Sequence, residues 1–145
     1  MDLEKLGYTT QTAIDFSDVV VQNMKAQHPS ITWLEMDIRQ LTFQDYSFDV
    51  CIDKATLDAM LYGSPWDPPD EVKANVKAYV DGVARVLKPA GAWLYITWRQ
   101  PHFIRPLLLR DAVWTVEVET LQEEGGMFEY FAFVMRKHSG IEDRA

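Results

Sequence analysis

The chain has 145 residues, a length that fits one domain with a respectable core. Nearly half the residues are apolar and five are Trp, which excludes a disordered chain. The single cysteine, Cys51, excludes an internal disulfide and a thiolate metal cluster. The formal charge of −8 argues against a nucleic-acid groove, which needs clustered Lys and Arg, and suits a basic partner.

No apolar run approaches the roughly 20 residues that span a bilayer. The opening Met1-Asp2-Leu3-Glu4-Lys5 has no signal-peptide core. A soluble protein of the cytoplasm is expected, with neither nucleic acid nor membrane as partner.

In chain order, residues 2–7 read as a short helix stopping at Gly7. Thr12-Ala13-Ile14-Asp15 is a strand ending on an acid. Ser17 or Asp18 caps a helix through about Gln27, with Val20, Val21 and Met24 at helical spacing. His28-Pro29 ends it. Ile31 to Met36 is a strand stopping at Asp37. Phe48 to Ile52 is another, read as buried, that ends abruptly on Asp53-Lys54, with a short helix from Ala55 to Leu61 after it.

The three-proline loop Gly63 to Pro69 follows, with Asp67 as N-cap and Pro68 at the first helical position. The next helix runs to about Leu87 on a stripe of Val72, Val76, Tyr79, Val80, Val83, Val86 and Leu87. Lys88 to Gly91 is a turn, Ala92 to Trp98 a strand and Pro101 to Leu109 a weak helix. Val113 to Thr120 and Met127 to Arg136 form a closing antiparallel hairpin, its second strand read as sheet core. A frayed tail is expected from Ser139.

Strands alternating with helices predict an α/β, Rossmann-like, mostly parallel sheet covered on both faces, plus the hairpin. Ligands of such sheets bind beyond the carboxyl ends of the strands. Those ends carry Asp15, Asp37 and Asp53, which are expected to converge on one crevice. Asp15 is placed to accept ribose hydroxyls, and Asp37 with the N–H of Ile38 to meet an adenine edge. Asp53 falls where a reacting group would lie. Each could instead be a plain helix cap.

The segments LEMDIRQLTF, SFDVCIDKATLDAML and VARVLKPAGAWLYITW, in this order and before a hairpin, resemble a class I, seven-strand S-adenosylmethionine-dependent methyltransferase. DKATLDAM resembles more narrowly the lysine methyltransferases acting on translation elongation factor 1-alpha. The resemblance runs from about Gly7 to His138. It implies S-adenosylmethionine as cofactor and a protein substrate of the elongation factor 1-alpha kind. Asp15 would hold the ribose, Phe16 would pack beside the adenine, and Asp37 and Ile38 would bind its edge. Asp53 and Lys54 would lie beside the methionine portion and the acceptor channel.

Three departures stand out. Ala55 and Ala90 occupy positions where glycine is usual, at little cost unless the backbone needs positive φ. The opening strand and its glycine-rich turn have no counterpart upstream of Asp15, which implies a partial methyltransferase domain over 1–138, missing its first strand.

A lysine acceptor needs an apolar wall for its stem and a group that orients its amine. Asp53 or Asp58 is the candidate orienter, and Lys54 can pair with either acid or with the cofactor carboxylate. The blander reading of Asp58 is an i, i+4 pair with Lys54. Trp66, Trp98, His102 and Phe103 are candidate channel residues. Three scattered His give no metal site. Two other functions compete: an inactive methyltransferase-like binding module, and methyl transfer to a small molecule. A nicotinamide enzyme fits worse, since it would show G-x-G-x-x-G.

Overall fold

The computed structural model describes residues 2–122 and 124–140. The tail expected to be frayed lies, from residue 141 on, outside them. The chain divides into two compact units, Met1–Thr42 and Phe43–Ala145.

In the first unit, helix α1 (Asp2–Lys5) ends ahead of Gly7, whose φ of +100° suits glycine. Strand β1 (Thr12–Asp15) pairs in parallel with β2 (Thr32–Glu35), placing Asp15 opposite Glu35. Helix α2 (Asp18–Gln27) connects them. Its N-cap is Ser17, whose Oγ accepts the Val20 N–H at 3.3 Å.

The second unit is a four-stranded sheet in the order β3-β4-β6-β5. It comprises β3 (Phe48–Lys54), β4 (Leu87–Thr97), β5 (Trp114–Gln122) and β6 (Glu129–Lys137). The β3–β4 ladder is parallel, whereas β4–β6 and β5–β6 are antiparallel. Among the described residues the strands are therefore evenly mixed, two parallel ladders and two antiparallel, where the sequence predicted a mostly parallel sheet. The hairpin is the reason: its second strand inserts beside β4, so one hairpin contributes two antiparallel ladders.

Helix α4 (Asp70–Val86) lays the predicted stripe on one face of this sheet, with all seven of those side chains buried. Their removal from water drives the packing, at about 1.5–3 kcal/mol for each large apolar group. Trp93 of β4, fully buried, sits at the centre, its ring 5.4 Å from that of Tyr79 and 5.8 Å from that of Trp114.

Several boundaries depart from expectation. Helix α4 starts at Asp70 with Pro69 as N-cap, not at Pro68. A residue before proline is pushed out of the helical region, so Pro69 denies Pro68 that role, and Asp67 pairs instead with Lys73 at 3.0 Å. Strand β3 continues through Asp53 and Lys54, and Lys54 pairs with Ile96. Nor is it buried: Val50 and Ile52 are 46% and 53% exposed. Among the described residues β3 has a neighbour in the sheet on one side only, and α4 covers the opposite face. Helix α3 (Thr56–Ala59) is a single turn. Helix α5 (Pro101–Leu108) follows β4.

The expected turn at Lys88 to Gly91 lies inside β4 as an irregularity between the Phe48–Leu87 and Val50–Ala92 pairs. A side chain at Gly91 would meet the Asp49 and Lys88 carbonyl oxygens at 2.8 Å. Ala90 has a φ of +65° and Ala55 one of +71°. Both alanines thus occupy left-handed backbone, which costs roughly 1–2 kcal/mol per non-glycine residue. The backbone does need positive φ at both positions, the one case in which the expected low cost does not hold.

Candidate functional site

Asp53 is the next-to-last residue of β3, just before α3. Its Oδ1 accepts the Thr56 N–H at 2.8 Å, and its Oδ2 accepts the Leu57 N–H at 3.1 Å and the Tyr79 hydroxyl at 2.7 Å. The residue is 2% exposed. The strand delivers an acid to the foot of the helix, where free backbone N–H groups need acceptors. Burial raises its pKa above the usual carboxylate value, although its three donors pull the other way. Burial also raises the Tyr79 phenol, further pushed by the neighbouring carboxylate.

Asp58 lies one turn on and points inward. It accepts hydrogen bonds from the Tyr95 hydroxyl and from the Thr97 hydroxyl, the latter at 2.9 and 2.8 Å to its two oxygens. Arg99 Nε stands 3.8 Å from Oδ1, an electrostatic contact longer than a hydrogen bond, and its Nη2 donates to the Asp58 carbonyl at 3.4 Å. The i, i+4 pair with Lys54 does not form. Lys54 is exposed and has no ion-pair partner among the described residues.

These buried hydroxyl partners escaped the sequence reading. Trp93, Tyr95 and Thr97 alternate on the buried face of β4, and two hydroxyls in a core demand an acceptor. That demand was the available signal.

Beyond the end of β4 lies a hollow of about 240 Å³, lined by Tyr62, Pro65, Trp98, Arg99 and Phe103 among others. Arg99 thus links it to Asp58. The Arg99 guanidinium sits 5.0 Å over the Trp98 ring. A second hollow, of about 280 Å³, shares Phe103 and adds Trp66, Lys73 and His102. The Trp66 ring packs 4.8 Å from Phe103 and 6.0 Å from His102. The four predicted channel residues therefore line two hollows that share Phe103.

The remaining candidates belong to the first unit. Asp15 Oδ1 accepts the Ser17 N–H at 2.8 Å, while its Oδ2 accepts from no described residue. Phe16 is 82% exposed, an uncovered ring at a strand end. The N–H of Ile38 donates to no described residue. Asp37 is engaged: Arg39 Nε and Nη2 grip both of its oxygens at 2.7–3.1 Å, and the Arg39 N–H adds a bond at 2.8 Å. The Arg39 side chain holds the Asp37 pKa below the usual carboxylate value.

A model of the methyltransferase domain matches residues 1–95. The chain belongs to the methyltransferase domain family. Within it, EEF1A lysine methyltransferase 4 of Bos taurus is 36% identical over 137 residues, covering 90% of this chain and 52% of that protein. The eEF1A lysine and N-terminal methyltransferase of Homo sapiens is 36% identical over 158 aligned positions, covering 99% of this chain and 22% of that protein. This methyltransferase domain thus spans about half of the first relative and under a quarter of the second. The N-methyltransferase NodS of Bradyrhizobium japonicum, solved with S-adenosyl-L-homocysteine, superposes with a TM-score of 0.62 at 15% identity. That match covers 88% of this chain and 66% of NodS and shows a shared fold. The resemblance read from DKATLDAM and the Rossmann-like α/β expectation are borne out.

Proposed function

We propose that this methyltransferase domain transfers a methyl group from S-adenosylmethionine to a protein lysine, on a substrate of the elongation factor 1-alpha kind. The observation that carries the reading is the 36% identity, across 90% of this chain, to a relative named as an EEF1A lysine methyltransferase.

The first unit's residues suit the adenosyl group in chemistry. The open Oδ2 of Asp15 can accept ribose hydroxyls, the exposed Phe16 ring can cover an adenine face, and the Ile38 N–H can donate to a ring nitrogen. Asp37 can accept an exocyclic amine only where Arg39 yields one carboxylate oxygen. When bound, S-adenosylmethionine supplies an electrophilic methyl group for in-line displacement.

The acceptor lysine must lose its proton before it attacks, and leaving water helps it do so. Tyr62, Trp98 and Phe103 would wall the lysine stem. Asp53 and Asp58 would orient the amine through the negative field of two buried carboxylates held by Tyr79, Tyr95 and Thr97. Lys54, exposed at the strand end, would pair with the cofactor carboxylate.

Calorimetric titration with S-adenosylhomocysteine and transfer of a labelled methyl group to elongation factor 1-alpha test the proposal. Asp37→Ala is expected to weaken cofactor affinity more than about tenfold, the loss of one hydrogen bond to a charged group. Unchanged affinity removes the adenine assignment. The complete grip of Arg39 on Asp37 favours a second reading, a binding module with no cofactor. Absence of heat at high micromolar S-adenosylhomocysteine would select it.

A further inference from the structure

The closing hairpin reaches past the sheet that holds it. Strand β4 ends at Thr97, opposite Phe131. The β5–β6 ladder continues through Leu121–Tyr130 and Gln122–Glu129, so two further residue pairs overhang the sheet by roughly 7 Å before the turn begins. Strands β3 and β4 both finish at this edge, which also carries Lys54, Trp98 and Arg99. The overhang therefore stands on the same side of the second unit as the hollows.

Its tip is apolar and uncovered. Met127 is 94% exposed and Phe128 74%, with Leu121 and Tyr130 partly exposed behind them. The sequence reading placed Met127 in the sheet core, and the structure corrects it. The alternation does bury Phe131, Phe133 and Met135, but it starts only where β6 meets β4. Gly125, at a φ of +78°, turns the chain. Met and aromatic residues are enriched at the centres of protein interfaces.

The charge around the tip selects the partner. Of the described acids of the hairpin, Glu124 and Glu129 stand at the tip and Glu119 behind it, whereas Glu117 lies farther down the ladder, 3.9 Å from Arg136; residues 114–135 hold no Lys, Arg or His. An anionic membrane surface and a phosphate backbone would both be repelled. A basic protein surface would be attracted, and would be steered by the net charge of the chain as well.

We propose that this hairpin is a docking finger, with Met127 and Phe128 seating in an apolar depression of a basic, folded protein surface beside the acceptor lysine. The proposal deepens the lysine-methylation reading and rests on it for the identity of the partner. The finger gives the enzyme a hold on the folded substrate that a short lysine peptide does not offer.

The test compares the full chain with its M127S/F128S variant, using purified elongation factor 1-alpha as probe. The expected result is at least a tenfold loss of affinity for the folded factor, with affinity for S-adenosylhomocysteine and the far-ultraviolet circular dichroism unchanged. The KM for the folded factor should rise at least tenfold, while transfer to a short lysine peptide stays the same. A second variant, E124K/E129K, should weaken binding and flatten its salt dependence. Equal affinity of M127S/F128S and wild type for the factor overturns the proposal, as does failure of the wild-type chain to bind it. Wild-type binding to phosphatidylserine vesicles that is lost in M127S/F128S also overturns it. The two claims separate cleanly. Loss of factor binding in M127S/F128S with no methyl transfer by wild type leaves the finger standing and removes the lysine-methylation reading.

Discussion

Asp37 and Asp53 are both acids at the carboxyl end of a strand, Asp37 just beyond β2 and Asp53 within the last two residues of β3, yet their surroundings act in opposite directions. Asp37 is partly exposed and held ionised by a guanidinium. Asp53 is buried among a phenol and two backbone N–H groups, and its charge is disfavoured by lost water. The first can be altered with little consequence for the fold, whereas the second is tied into the core. A strand-end acid is therefore not one kind of residue: what lies across from it decides whether it serves a ligand or the protein.

The largest test of that contrast removes Asp58, which shares the buried setting. Asp58→Ala would leave two buried hydroxyls without their acceptor and Arg99 without its counter-charge. A loss of about 3–5 kcal/mol in urea unfolding is expected. A loss below about 1 kcal/mol would mean the network is looser than its geometry.

Next comes Tyr79→Phe, which deletes the hydroxyl donor to Asp53 and should cost about 2 kcal/mol, the value of a hydrogen bond to a charged group. Carboxyl carbon-13 titration should find Asp53 above 3.8 in the wild type and higher still in the variant. Asp37 should titrate below 3.8 in both. The signs follow from proton linkage. With its folded pKa raised, Asp53 contributes stability below 3.8 that is lost as pH climbs through the raised value. With its folded pKa lowered, Asp37 contributes stability above 3.8 that is lost as pH falls. Coincident titrations would erase the contrast.

Smaller effects sharpen it. Ala55→Gly and Ala90→Gly each relieve left-handed backbone and should raise the urea midpoint by an equivalent of about 0.5–1 kcal/mol, after the entropy that glycine costs. Ala55 bears directly on Asp53, since it begins the turn whose N–H groups that acid caps. At the bottom of the scale, Asp37→Ala should change unfolding stability by less than about 0.5 kcal/mol, as expected of an exposed ion pair.

Local signals explain what was legible beforehand. The α4 stripe, the Ser17 cap and Gly7 depend on residues within a turn or two of one another, so spacing alone revealed them. The partners of Asp58 lie 37 and 39 residues downstream; a one-turn pair with Lys54 was the nearest guess, and pairing across the fold displaced it. The exposure of Val50 and Ile52 depends on which strands neighbour β3, which no window of sequence contains. Ala55 and Ala90 were visible as substitutions for glycine, but their positive φ became apparent only in three dimensions. The acids of the site could be named from sequence; the hydroxyls and the guanidinium that surround them could not.

The strand order has a consequence for how the second unit is made. Strand β6 is the last regular element among the described residues, yet it sits between β4 and β5. The Lys137 ammonium at its end also caps α4, donating to the Ala84 and Leu87 carbonyls at 2.7 Å. As the polypeptide leaves the ribosome, β5 has no strand to pair with and the helix end stays open until β6 emerges. Sequence-distant pairing of this kind slows folding, so the facing edges of β4 and β5 stay open until β6 forms between them.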